Sequence, residues 1–146
     1  MEKVRGFEKL VGEAILPSRA TPFSAGYDFH ACIPVSSGSI TIEPGQTAAI
    51  PTGITAYMPG DEVLLLFIRS GLARKQGLTL QNAVGVVDSD YYGSDIIFLI
   101  RNEGKDPVKI EHRDRIGQGI FMKYLLADND QPPEVRRTGG FGSTGR

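Results

Sequence analysis

The sequence predicts an all-β domain closed on itself as a distorted jelly roll or barrel. Three observations point there. Apolar runs of strand length return at short intervals, 18 glycines and 9 prolines punctuate them, and no long segment keeps a 3.6-residue apolar period. Many short strands in one domain would expose unpaired edges unless the sheets closed, which is why a jelly roll or barrel is the economical architecture. With 146 residues the chain makes one domain with a sizeable hydrophobic core and is too short for two.

Taken in order, the expected strands cover residues 4–11, 27–31, 38–42, 46–51, 54–57, 62–68, 78–80, 83–87, 95–100, 108–110 and 115–124. Each is rich in β-branched, aromatic or aliphatic residues and is bounded by turn formers. Only Ser70-Gly71-Leu72-Ala73-Arg74-Lys75 offers a helix, with Ser70 as its cap and Gly77 as its end. Arg69, the Ser70 hydroxyl and the backbone N–H groups from Gly71 onward are expected to converge there on an anion.

From Ala127 the composition shifts. Residues 1–126 form the expected barrel, and residues 127–146 form a linker, Asp128-Asn129-Asp130-Gln131-Pro132-Pro133, followed by a glycine-rich basic arm. Such an arm cannot offset its own ordering entropy and is expected to order on a ligand. Gly140, Gly142 and Gly145 fit a G-x-G-x-x-G spacing, but they follow no strand and precede no helix, which excludes a dinucleotide fold. No Lys-Ser or Lys-Thr pair follows them, so a Walker-type loop is excluded too.

A net charge of −1 leaves no electrostatic footprint for nucleic acid. No apolar run is long enough for a membrane helix and no signal peptide is visible, so a soluble, cytoplasmic protein is expected. The single cysteine, Cys32, lies in an apolar segment and is read as a buried structural thiol. His30 and His112 share no metal-ligand spacing and are read as structural or exposed.

The chemistry concentrates in Asn82-Ala83-Val84-Gly85-Val86-Val87-Asp88-Ser89-Asp90-Tyr91-Tyr92-Gly93-Ser94-Asp95. An apolar strand breaks off at Asp88, and Ile96 to Ile100 resumes as another, which predicts a hairpin with acidic and aromatic side chains at its tip. A carboxylate at such a break is expected to be partly desolvated and thus a candidate base. Asp88, Asp90 and Gly93 also fit part of a calcium loop, but Tyr92 and Leu99 stand where oxygen ligands are required, so that reading fails.

Five stretches, from Ala25 to Gly145, resemble the five ordered motifs of the homotrimeric dUTP pyrophosphatase (dUTPase) family. They are Ala25-Gly26-Tyr27-Asp28-Phe29, Arg69-Ser70-Gly71-Leu72-Ala73, Asn82 through Gly93, Asp114-Arg115-Ile116-Gly117-Gln118, and Arg136 through Gly145. The resemblance implies hydrolysis of dUTP to dUMP and pyrophosphate, which keeps uracil out of DNA and supplies dUMP for thymidylate synthesis. It implies that Asp88 holds and deprotonates the attacking water, that Gln118 helps orient it, and that Ser70 bonds the oxygen bridging the α- and β-phosphates. Arg69 and Gly71 would brace the phosphates. Asn82 and the backbone of Gly85 and Val87 would pair with uracil, and Tyr91 would pack under deoxyribose. Phe141 would stack over the base while Arg136, Gly142, Ser143 and Thr144 grip the terminal phosphates. Mg²⁺ would ride on the substrate's phosphate oxygens with no direct protein ligand, and Asp28 would orient polar groups or metal-bound water near it. Sites shared among three subunits are also implied.

The sequence departs from the family pattern at four places. Ile68 stands for a common proline, Gln76 for a histidine, Gly117 for an alanine, and Arg137 for the glycine after the arm's arginine. The last leaves open which of Arg136 and Arg137 faces phosphate. Two rivals share the fold: a dCTP deaminase, disfavoured because Ile96 to Ile100 lacks the glutamate that enzyme needs, and a nucleotide-responsive regulatory protein without chemistry.

Overall fold

A computed structural model describes residues 2–135 and 137. Eleven strands follow one another among these residues: β1 (Gly6–Lys9), β2 (Tyr27–His30), β3 (Ser39–Ile42), β4 (Thr47–Pro51), β5 (Ile54–Tyr57), β6 (Glu62–Ile68), β7 (Leu78–Leu80), β8 (Gly85–Asp88), β9 (Ile97–Asn102), β10 (Val108–Glu111) and β11 (Arg115–Lys123). One helix, α1 (Ser70–Gln76), lies between β6 and β7, and a 3-10 turn, Ser89–Tyr91, follows β8. Each expected strand has a counterpart: 54–57, 62–68 and 78–80 match at both ends, β8, β9 and β10 run one or two residues further at their C-terminal ends, and the other differing ends are one or two residues shorter.

All strand pairs are antiparallel. The largest sheet runs β2-β11-β6-β8, a second runs β4-β9-β7, and β1-β5 and β10-β3 form two further pairs. Together they wrap one core whose fully buried side chains include Phe29, Ile42, Ile50, Leu64, Phe98, Ile100 and Ile116. This is the distorted jelly roll that the short, turn-rich segments imply. No described helix is long and apolar enough to cross a membrane.

Alternation along the largest sheet assigns its two faces. Phe29, Leu64, Leu66, Val87, Gly117 and Gly119 face the core and are buried. The opposite face carries Asp28, Phe67, Leu65, Val86, Asp88, Gln118, Ile120 and Met122, half-buried or exposed. The glycines of β11 make the core side possible. A Cβ on Gly117 would stand 2.3 Å from Phe98 Cε2 and 2.6 Å from the Phe67 carbonyl, so the two aromatic strands close over bare backbone.

Three sequence expectations are corrected here. The predicted hairpin of residues 83–87 and 96–100 does not form, because β8 pairs with β6 whereas β9 pairs with β4 and β7. The connection crosses between sheets, fixed by Gly93 N–H to Thr55 Oγ1 at 2.8 Å, Tyr91 O–H to the Asp95 carbonyl at 2.6 Å and Ile96 N–H to the Ile54 carbonyl at 2.8 Å. Ala83 is a turn residue with φ of 64°, its N–H bonded to the Leu80 carbonyl, so the strand starts only at Gly85. Ser70 is the first helical residue and not the cap; Arg69 holds that position, with no side-chain capping bond. The helix does end at Gly77, whose left-handed φ of 69° suits glycine.

Candidate active site

The sequence-predicted residues fall into two groups at opposite ends of the largest sheet. One group gathers where β6 runs into α1. Gly117 lies opposite Ile68, Gln118 opposite Phe67 and Asp28, so Gln118 and Asp28 are neighbours beside the chain that leads to Arg69, Ser70 and Gly71. Asp28 is held by Arg115, Nη1 to Oδ2 at 3.6 Å. Arg69, Arg115 and Lys109, with Asp114, line an adjoining cleft of about 240 Å³. The lining carries three cations and one acid, but Arg115 is also paired with Asp28 and Lys109 with Glu111 at 3.7 Å, so the positive excess is modest.

The anion-binding helix start is narrower than the sequence suggests. The N–H groups of Leu72 and Ala73 both bond the Arg69 carbonyl, at 3.0 and 3.1 Å. Only those of Ser70 and Gly71 precede them at the start of the helix.

The second group sits along β8. Asn82 opens a tight turn in which the Val84 N–H bonds the Asn82 carbonyl at 2.7 Å. Gly85 brings β8 close to β6, since a Cβ there would lie 2.9 Å from Leu66 Cβ. Val87 is buried beneath the strand. Asp88 ends β8 with its side chain 51% exposed, which corrects the expectation of a desolvated carboxylate. Tyr91 is half-buried, and burial raises its phenol above the ordinary value.

Arg137 folds onto this acidic end. Its Nη2 donates to Asp88 Oδ2 at 2.5 Å and its Nε to Asp90 Oδ1 at 2.7 Å, while its guanidinium carbon stands 5.9 Å from the centre of the Tyr91 ring. Of the two arm arginines, then, Arg137 contacts acids of its own chain. Arg136, Phe141, Gly142, Ser143 and Thr144 lie outside the described residues.

The two groups do not meet. Asp88 is opposite Val63, which is opposite Met122, four residues along β11 from Gln118. Two strand spacings across and four residues along place Asp88 and Gln118 roughly 16 Å apart. Both nonetheless project from the same sheet face.

No group of three His, Cys, Asp or Glu side chains is arranged to hold a metal ion among the described residues. Asp114 lines the cationic cleft, and Asp28 is tied to it through Arg115, another of its lining residues. Cys32 is partly rather than fully buried, with its thiol pushed up by burial, and lines an apolar cavity away from both groups. His112 is structural, its Nδ1 accepting the Ile33 N–H at 3.1 Å. His30 is half-buried, and burial lowers its pKa.

Two contributors escaped the sequence reading. Arg115 sits inside a quoted motif, but its spacing of three from Gln118 would put it on the other face of a regular strand, and the bulge between Arg115 and Gly117 that shifts the register has no local signal. The Arg137 contact with Asp88 spans 49 positions and left no local trace. Asp95, which accepts the Gly53 N–H at 2.9 Å, is raised by burial and partly offset by hydrogen bonds; it braces the turn at Thr52 rather than the site.

Comparison with known proteins points to one family. The dUTPase family model matches residues 12–145. A deoxyuridine 5'-triphosphate nucleotidohydrolase from Lactococcus lactis is 45% identical, over 98% of this chain and 99% of that protein. The crystal structure of a dUTPase from Streptococcus mutans superposes with a TM-score of 0.75 at 39% identity, covering 85% of this chain and 99% of that one. A dUTPase mutant from phage phi11 of S. aureus, described as coordinating a structural Mg(II) ion, shares the fold with a TM-score of 0.76 at 21% identity, over 91% of this chain and 99% of that one. Motifs, topology and these relatives concur: the chain belongs to the dUTPase family.

Proposed function

We infer that this chain hydrolyses dUTP to dUMP and pyrophosphate in the cytoplasm, by attack of water on the α-phosphorus. The observation that carries the mechanism is the placement of Asp88 and Gln118 on one sheet face, each at the open end of its own half-site. Asp88 takes a proton from the water as its oxygen bonds to phosphorus. Gln118 orients that water. The bond from the α-phosphorus to the bridging oxygen breaks, and the Ser70 hydroxyl donates to that oxygen as charge builds on departing pyrophosphate.

Arg69 and Gly71 brace the phosphates beside the cationic cleft. Mg²⁺ carried on the substrate's phosphate oxygens would neutralise charge on the triphosphate, and Asp28 would orient polar groups or metal-bound water near it. Asn82 and the backbone of Gly85 and Val87 read the uracil edge, where a wrong base leaves buried polar groups unpaired. Tyr91, locked to the Asp95 carbonyl, sits under the sugar. Arg137 occupies the Asp88 oxygen that the water needs, so turnover requires the arm to release it. The arm then closes over substrate through Phe141, Ser143, Thr144 and Arg136.

Because Asp88 and Gln118 stand far apart within one chain, the complete site joins the Asp88 half of one copy to the Gln118 half of another. A homotrimer with three shared sites satisfies this requirement, since a cyclic arrangement uses both halves of every copy. The apolar residues between the halves, among them Val86 at 62% and Met122 at 48% exposed, give that association its contact surface.

Asp88→Asn tests the chemistry. Turnover measured by pyrophosphate release should fall by about 100-fold or more while dUTP affinity is kept. Parental turnover in this variant would falsify the assignment of Asp88 as base.

A further inference from the structure

We propose that Gly26 is a positioning residue for Gln118: its missing side chain is the space in which the Gln118 amide is held. The inference rests on the role of Gln118 given above. A Cβ built on Gly26 would lie 2.1 Å from Gln118 Oε1, 2.9 Å from its Cδ and 3.1 Å from its Cβ. No heavy atom tolerates the first of these distances, so any other residue here displaces the amide.

Backbone conformation does not explain the glycine. The described glycines with positive φ are Gly38, Gly45, Gly53, Gly77 and Gly93, and Gly26 is absent from that group. Its φ lies outside the left-handed range that favours glycine. Core packing does not explain it either. Gly117 and Gly119 meet the buried rings of Phe98 and Phe29, and Gly85 meets Leu66, all fixed by the core. Gly26 is buried, but the nearest atoms that a Cβ would meet all belong to a half-buried polar side chain.

Register explains how the two residues meet. Gly119 lies opposite Tyr27 and Gln118 opposite Asp28, so the Gln118 side chain projects from the same face as Asp28. It then runs back along β2 to cover Gly26, which immediately precedes the strand. With Asp28 two residues away, Gly26 and Gln118 form one edge of the phosphate half-site. A glutamine at this place has three rotatable bonds, and orienting a water requires that only one arrangement be occupied. The wall behind the amide is Gly26 backbone. A methyl group there leaves the fold able to adjust, because the clashing oxygen is the far end of a flexible side chain, but moves the amide away from the water.

A double-mutant cycle in the full-length protein tests this, with kcat, KM for dUTP, melting temperature and oligomer mass measured for each variant. Gly26→Ala is expected to keep the parental mass and to lower kcat about as much as Gln118→Ala, with misplacement of this kind costing about 100-fold and KM changing far less. The double variant Gly26→Ala/Gln118→Ala is expected to be no slower than Gln118→Ala alone. Parental kcat in Gly26→Ala, or losses that multiply in the double variant, would overturn the proposal. Should Gly26→Ala fail to fold, the double variant decides: recovery of the fold assigns the space to the amide, and continued unfolding overturns it. Unchanged kcat in Gln118→Ala would instead remove the role of Gln118 itself, a distinct failure.

Discussion

Glu62 is 5% exposed at the start of β6, and a carboxylate so enclosed needs a partner. Arg5 provides it through Nε to Oε1 at 2.8 Å and Nη2 to Oε2 at 2.6 Å, a two-pronged contact that ties the N-terminal segment to the largest sheet. The Arg5 hydrogen bonds hold the Glu62 carboxyl below its ordinary value of 4.5. A lowered folded pKa means that the unfolded chain binds the proton more readily, so the contact stabilises the fold above that ordinary value and fades as pH falls through the lowered one. Arg5→Ala is accordingly expected to lower the melting temperature by several degrees at about pH 7, with the difference from the parent shrinking towards about pH 3. Thermal denaturation across that range checks it. A constant difference at every pH would show that Arg5 acts by packing alone. The sequence hid this pair because its members are 57 positions apart and a glutamate opening a strand ordinarily faces water.

Among the elements, β11 carries Gln118 on one face and closes the core with Gly117 and Gly119 on the other. Position 117, where the family commonly has alanine, is glycine here because Phe98 and the Phe67 carbonyl fill the space that a methyl group needs. Gly117→Ala is expected to destabilise the fold by about 1–3 kcal/mol through overpacking. Chemical denaturation would detect this as a lower midpoint, and an unchanged midpoint would mean that Phe98 yields freely. Strand positions along the chain were legible because alternation and turn residues are local signals. Pairing was not. Ala83 to Val87 and Ile96 to Ile100 look like two arms of a hairpin, yet their partners are β6 on one side and β4 and β7 on the other. Besides the local bond from Tyr91 to the Asp95 carbonyl, the connection is held by Thr55 and Ile54 on β5, long-range partners that the local sequence does not show. The helix start shows the same limit at smaller scale, since Ser70 has the right chemistry for a cap but Arg69 has the extended backbone of one.

For the whole molecule, the decisive feature is the distance between two half-sites on one sheet face. The motifs were readable in order along the chain. Their separation was not readable, because it follows from the order β2-β11-β6-β8, which puts Asp88 and Gln118 two strands and four residues apart. A single copy presents two incomplete sites and an apolar strip between them. The proposed sharing of sites between copies would answer both, by covering the strip and by bringing Asp88 of one chain to Gln118 and Ser70 of the next.

Subunit complementation tests that claim most directly. Asp88→Asn and Gln118→Ala chains, each nearly inactive alone, would be mixed in equal amounts, unfolded and refolded together, with mixed oligomers confirmed by mass. If sites are shared around a three-fold ring, each mixed trimer contains one site with both native residues, and about a quarter of the parental pyrophosphate release should return. Confirmed mixed trimers that stay as inactive as either variant alone would contradict the account.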